Sequence, residues 1–152
     1  GGGYGVAPLV FLASRLPGRG VVLLGGRRAD DILCTQDFEA LGWTVSVATE
    51  DGSLGTQGLV TRLLDEALDT VGETPELFAC GPDGMLRAVC QRALARDCRA
   101  WLSLDHHMVC GIGACLACVQ TLRLPDGGTR IARVCKDGPV FEAREIVWED
   151  RA

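Results

Sequence analysis

Four of the eight cysteines crowd toward the C-terminal end of the chain: Cys110, Cys115, Cys118 and Cys135. The first three lie in the run Cys110-Gly111-Ile112-Gly113-Ala114-Cys115-Leu116-Ala117-Cys118, and the fourth follows a hairpin signal. This is C-x₄-C-x₂-C…C, the spacing of plant-type [2Fe–2S] proteins. A loop that wraps a small anionic cluster must bring its thiolates together and let backbone N–H groups approach the sulfur atoms. Gly111 and Gly113 allow the positive φ such a wrap requires, and Ala114 and Ala117 leave room. A Cys₄ zinc site is the alternative, but zinc sites usually present two short cysteine pairs, and only one pair here has x₂ spacing. His106 and His107 precede the loop. A Rieske-type centre would need two Cys and two His, so with four cysteines the histidines are surplus and read as solvated loop residues.

A second chemistry-bearing pattern lies in the first hundred residues. Gly1-Gly2-Gly3-Tyr4-Gly5-Val6-Ala7-Pro8 suits a turn from strand into helix, where bare glycines let backbone amides approach a pyrophosphate. A glycine-rich turn alone is weak evidence. Cys80-Gly81-Pro82-Asp83-Gly84-Met85 strengthens it, because it falls at the C-terminal end of an expected strand, where open α/β sheets bind ligands. The turns at Gly25-Gly26-Arg27-Arg28 and Thr49-Glu50-Asp51-Gly52 share that edge. Arg27 or Arg28 could contact phosphate or be solvated surface. Asp51 could accept a ribose hydroxyl or cap a turn, and the cap is favoured. Cys34, Cys90 and Cys98 read as packing residues.

These residues must be positioned by elements, and up to about residue 104 helix and strand alternate. Helices are expected over residues 6–16, stopped by Pro17-Gly18, and over 37–41. Helical stripes follow at Leu59, Leu63, Leu64, Ala67 and Leu68, and at Leu86, Val89, Cys90, Ala93 and Leu94. Strands are expected over residues 21–24, 43–48, 76–80 and 99–104. Strands separated by helices of this length imply βαβ units and a parallel sheet. After Leu104 the texture changes: a Cys/Gly loop over 105–118, then strands 119–124 and 129–134 around Pro125-Asp126-Gly127-Gly128, a hairpin signal. A short strand pair, 140–141 with 146–148, is expected to close the unit. The predicted division is residues 1–104, a nucleotide-binding α/β domain, and 105–152, a small β-rich cluster domain.

With 15 basic and 20 acidic residues the net charge is −5 and no basic cluster stands out, which argues against a nucleic-acid partner. No apolar run approaches the roughly 20 residues of a membrane helix. No basic n-region precedes an apolar stretch, so the crowded cysteines read as metal ligands rather than disulfides, and a cytoplasmic location is expected.

The GGGxGVAPL opening, the CGPxxM turn and the CGIGACLAC…VCKDGPVF segment (134–141) together resemble one family, the iron–sulfur electron-transfer subunit of bacterial NAD-dependent (type B) dihydroorotate dehydrogenase. The resemblance covers essentially the whole chain. It implies a ferredoxin-reductase-like arrangement: an FAD-binding barrel, an NAD-binding α/β domain, then the [2Fe–2S] domain. The implied partner is an FMN-containing catalytic subunit, with a heterotetramer expected, in pyrimidine (UMP) biosynthesis. Electrons would run from FMN through the cluster and FAD to NAD⁺. By the same resemblance, Gly2, Gly3, Gly5, Cys80, Gly81 and Pro82 would face nicotinamide and flavin, with Cys80 near the hydride-transfer zone without acting as a nucleophile.

The flavin barrel, with its arginine–aromatic motif, does not occur in these 152 residues. The chain is therefore expected to be a fragment that holds the cluster but binds FAD weakly or not at all, and is inactive alone. Competing expectations are an electron-transfer subunit of another NAD(P)H-linked complex, of sulfhydrogenase or ferredoxin:NADP⁺ reductase type, and a non-catalytic zinc-binding module. For electron transfer one side of the cysteine loop should be exposed. Val109, Ile112 and Leu116 either form that apolar contact surface or pack the cluster against the domain.

Overall fold

The structure is a computed structural model that describes residues 1–17 and 20–148. A short 3₁₀ turn, Gly3–Gly5, leads into helix α1 (Val6–Arg15), with Pro8 in the first turn where a missing N–H costs nothing. Val6, Leu9, Val10 and Ala13 form its inward stripe. The proposed stop at Pro17-Gly18 falls partly outside the described residues. Strand β1 (Val21–Gly26) follows, then α2 (Thr35–Ala40), β2 (Thr44–Thr49), β3 (Thr56–Gln57) and α3 (Val60–Thr70). Next come β4 (Leu77–Cys80), α4 (Asp83–Ala95) and β5 (Ala100–Ser103). The C-terminal part holds β6 (Val119–Arg123), β7 (Thr129–Arg133), the single-turn α5 (Val134–Asp137) and β8 (Val140–Glu142).

The strands form an α/β arrangement with two blocks of parallel pairing. β1 runs parallel to β2 from Val21 opposite Thr44 to Gly26 opposite Thr49, and β2 runs parallel to β3. β4 runs parallel to β5, Leu77 opposite Ala100. Helices α3 and α4 are tied by Arg92, whose Nε lies 3.0 Å from both carboxylate oxygens of Asp65, and by Arg96 Nη2, 2.9 Å from Asp69. The arginines are 29% and 32% exposed and their carboxylates 37% and 69%, so these partly solvated pairs add little beyond orientation.

Two expected stripes are narrower than the sequence suggests. Leu59 precedes α3 rather than joining it and is exposed, and Leu94 points outward from α4 while Leu86, Val89, Cys90 and Ala93 are buried.

The strand pair expected to close the C-terminal unit does not form. β8 pairs antiparallel with β5, placing Phe141 opposite Leu102, and Ile146 instead bridges Leu122 of β6. The physical reason is burial: Phe141, Leu102, Leu122 and Ile146 all enter one core with Leu86 and Val134. That core is continuous across residue 105. A smaller core gathers Val6, Leu24 and Phe38 with Trp43 packed against it.

The β6–β7 hairpin forms as the turn residues dictate. Gly127 sits at φ 85°, and Gly128 N–H donates to Asp126 Oδ1 at 2.9 Å.

Candidate metal centre and nucleotide cleft

The cysteine loop is carried between the end of β5 and the start of β6, and α5 brings the fourth cysteine to it from the far side of the hairpin. The loop turns through Gly111 at φ 68°, Gly113 at φ 80° and Leu116 at φ 58°. Arg133 fastens it: its guanidinium holds Asp137 at 3.0 and 3.1 Å and donates to the Gly113 carbonyl at 3.4 Å.

The four thiols fall into two pairs. The amides of Ala114 and Cys115 donate to Cys110 Sγ at 3.3 and 3.4 Å. The Cys135 amide donates to Cys118 Sγ at 3.4 Å, which sets Cys118 beside Cys135 as Cys110 stands beside Cys115. The N–H of Cys115, followed by those of Ile112 and Ala114, draws the Cys110 thiol down to about 6. The Cys135 amide likewise lowers Cys118, and Cys135 is raised by its hydrogen bond to the Cys118 sulfur. Backbone donors aimed at sulfur favour the thiolate, the form that binds metal.

The grouping of the four cysteines suits a two-iron cluster. Zinc needs four sulfur atoms at about 2.3 Å around one centre. A two-iron cluster bound by four cysteines needs two thiolates per iron, displaced from one another. Two adjacent pairs fit the second case.

The histidines divide. His107 is exposed, whereas His106 is buried, contrary to the expectation that both are solvated. The chain leaving β5 keeps its in–out alternation through buried Leu104, exposed Asp105 and buried His106, so extended-chain periodicity turns one imidazole inward. Around the cysteines, Val109, Ile112 and Leu116 are 70%, 72% and 60% exposed. They do not pack the loop against the domain.

The nucleotide edge brings the two glycine motifs into contact. Gly2 N–H donates to the Cys80 carbonyl at 3.1 Å, and a Cβ on Gly5 would lie 2.6 Å from the Cys80 carbonyl and the Gly81 nitrogen. Only glycine fits at position 5. A cleft of about 690 Å³ opens above this contact, lined by Gly2, Gly3 and Pro82 together with Tyr4, Arg27 and Glu50. Gly5, Cys80 and Gly81 form the packed support beneath rather than the lining, and Cys80 is buried. Nothing lies within 4 Å of a Cβ on Gly3, so the backbone there is open to a ligand.

Arg27 Nε is held 3.3 Å from Asp31, Arg28 is exposed, and Asp51 accepts from the Ser53 amide and hydroxyl at 2.9 and 2.6 Å. Asp51 is thus a turn cap. Tyr4, Met85 and Glu50 line the cleft without having been singled out as site residues. Tyr4, 92% exposed beside three glycines, was the legible signal among them. Cys90 and Cys98 are buried in the larger core and Cys34 packs against the smaller one, as packing residues.

Comparison with known proteins agrees with this geometry. Residues 105–147 match the family model of the iron–sulfur cluster binding domain of dihydroorotate dehydrogenase B. The chain is 40% identical over 148 residues to the dihydroorotate dehydrogenase B (NAD(+)) electron transfer subunit of Caldanaerobacter subterraneus subsp. tengcongensis, covering 97% of this chain and 58% of that protein. It is 45% identical over 150 residues to the corresponding subunit of Bacillus caldolyticus, covering 97% and 55%. A solved structure of an NADH-dependent reduced ferredoxin-NADP oxidoreductase, studied for flavin-based electron bifurcation, superposes with a TM-score of 0.80 at 30% identity. That match covers 96% of this chain and 51% of the other. The chain spans just over half the length of the curated relatives it matches. By identity along nearly its whole length, and by the matched cluster segment, the chain is similar to one part of the dihydroorotate dehydrogenase B electron transfer subunits.

Proposed function

We propose that Cys110, Cys115, Cys118 and Cys135 hold a [2Fe–2S] cluster, one cysteine pair to each iron. The observation that carries this reading is the grouping of the four cysteines by backbone N–H···S contacts, Cys110 beside Cys115 and Cys118 beside Cys135, inside residues 105–147. When bound, the cluster supplies one-electron transfer. The chain's part is to hold the thiolates with backbone N–H donors and to leave one side of the loop open. Val109, Ile112 and Leu116 are the proposed contact surface for an FMN-containing dihydroorotate dehydrogenase catalytic subunit, in a heterotetramer.

The remaining cofactors are FAD and NAD(H). The cleft lined by Gly2, Gly3 and Pro82, on the support of Gly5, Cys80 and Gly81, is the proposed nicotinamide and flavin face, because nothing stands within 4 Å of a Cβ placed on Gly3. Residues 1–104 serve as the nucleotide part and 105–152 as the cluster part, a division supported by the family match beginning at residue 105. The function is electron transfer from dihydroorotate oxidation to NAD⁺ in pyrimidine biosynthesis, in the cytoplasm. No helix among the described residues is long and apolar enough to cross a membrane. The solved relative favours a second reading, a subunit of ferredoxin-NADP oxidoreductase type. Mixing the chain, within its full subunit, with the FMN subunit separates them. Dihydroorotate-dependent NADH formation supports the first reading, and ferredoxin-dependent turnover without it supports the second.

A further inference from the structure

The cleft above the glycine contact has one aromatic ring among its described lining residues, Tyr4, and that residue is 92% exposed. Two other aromatic rings in the molecule have a face in use. The Arg15 guanidinium lies over Phe11, 5.2 Å from the ring centre, and the Arg99 guanidinium lies over Trp101 at 4.8 Å. Among the described residues no cation lies over Tyr4. An aromatic face carries partial negative charge, and that of Tyr4 is unoccupied.

The backbone beneath this ring is fixed. Gly5 N–H donates to the Gly2 carbonyl at 3.1 Å, and Val6 N–H donates to the carbonyls of Gly3 and Tyr4. Gly5 stands against the Cys80–Gly81 backbone with no room for a Cβ, so the turn that carries Tyr4 is seated on the end of β4. A tyrosine held on such a turn offers a large rigid surface, and binding has only its two side-chain torsions to fix. The charges around the cleft have one prevailing sign. Asp30, Asp31 and Glu50 line it together with Arg27, and Arg27 is already held by Asp31. Carboxylates at a cleft favour positive charge in its occupant, as does the face of an aromatic ring.

We propose that Tyr4 is a binding residue for the oxidised nicotinamide ring, its face taking the positive pyridinium of NAD⁺, so that the cleft prefers a cationic ring to an uncharged one. This rests on the reading of the cleft as the nicotinamide face. The contribution belongs to the aromatic ring and not to the phenol hydroxyl, because the attraction is between a cation and a π face. It acts on the nicotinamide end alone, since the ADP half of the dinucleotide carries negative charge and gains nothing from that face.

Calorimetric titration of the chain, within its full oxidised subunit, tests this with three probes: NAD⁺, the same dinucleotide with benzamide in place of nicotinamide, and ADP-ribose. Benzamide keeps the size and amide of the ring without its charge, ADP-ribose has no such ring, and none of the three reduces a flavin. Tyr4→Leu weakens NAD⁺ about 10-fold and the benzamide dinucleotide less than about threefold, and it leaves ADP-ribose within about twofold. Tyr4→Phe, which keeps the ring, holds NAD⁺ within about twofold. Unchanged NAD⁺ affinity in Tyr4→Leu, or a loss no greater than for the benzamide dinucleotide, overturns the proposal and leaves the cleft as a dinucleotide site. If the unaltered subunit binds none of the three probes, the reading of the cleft itself is overturned, and the role of Tyr4 falls with it.

Discussion

The backbone amide of Cys135 donates to the sulfur of Cys118 at 3.4 Å, joining two residues that the whole β6–β7 hairpin separates in sequence. The hairpin register, Val119 opposite Arg133, places α5 directly beside the end of the cysteine loop, where Val134 N–H donates to the Cys118 carbonyl at 2.8 Å. Strand pairing thus brings the two cysteines of a candidate ligand pair together. Replacing Cys118 or Cys135 with Ser should leave the hairpin folded by circular dichroism and reduce retained iron at least about 10-fold.

Arg133 holds the other side of the loop through Asp137 and the Gly113 carbonyl. Arg133→Ala removes both anchors without touching a thiol. Cluster loss to a chelator, followed by visible absorbance, should accelerate about 10-fold, the usual scale for groups that orient ligands. Arg133→Lys should recover only part of this, because an ammonium lacks the planar fork.

Gly5 is the tightest approach in the nucleotide half, with the Cys80–Gly81 backbone 2.6 Å from where a Cβ would stand. Neither neighbour is a side chain that can swing away. Gly5→Ala should lower stability by about 1–3 kcal/mol in urea unfolding, the range for forced overpacking. Gly72→Ala, where nothing lies within 4 Å, should stay within about 0.5 kcal/mol.

Much of this was legible from residue type and spacing. The runs at Val21–Gly26 and Leu77–Cys80 and the Pro125–Gly128 turn form strands and hairpin as their chemistry dictates. What was not legible came from long-range geometry. Helix α2 starts two residues earlier than expected because Cys34 adopts φ 60°, a conformation nothing in a cysteine announces. Val140 and Phe141 read correctly as strand, but the choice of β5 as partner was decided by the common core, which local pattern does not carry. In the candidate site, spacing singled out the four cysteines, while the placing of Cys110 beside Cys115 and of Cys118 beside Cys135 required the fold.

The most direct test of the account is an EPR spectrum of the dithionite-reduced chain, taken with iron and acid-labile sulfide analysis. The account predicts a rhombic S = ½ signal, two irons and two sulfides per chain, and loss of all three on replacing Cys115 or Cys118 with Ser. A colourless, EPR-silent protein with one zinc per chain would contradict it.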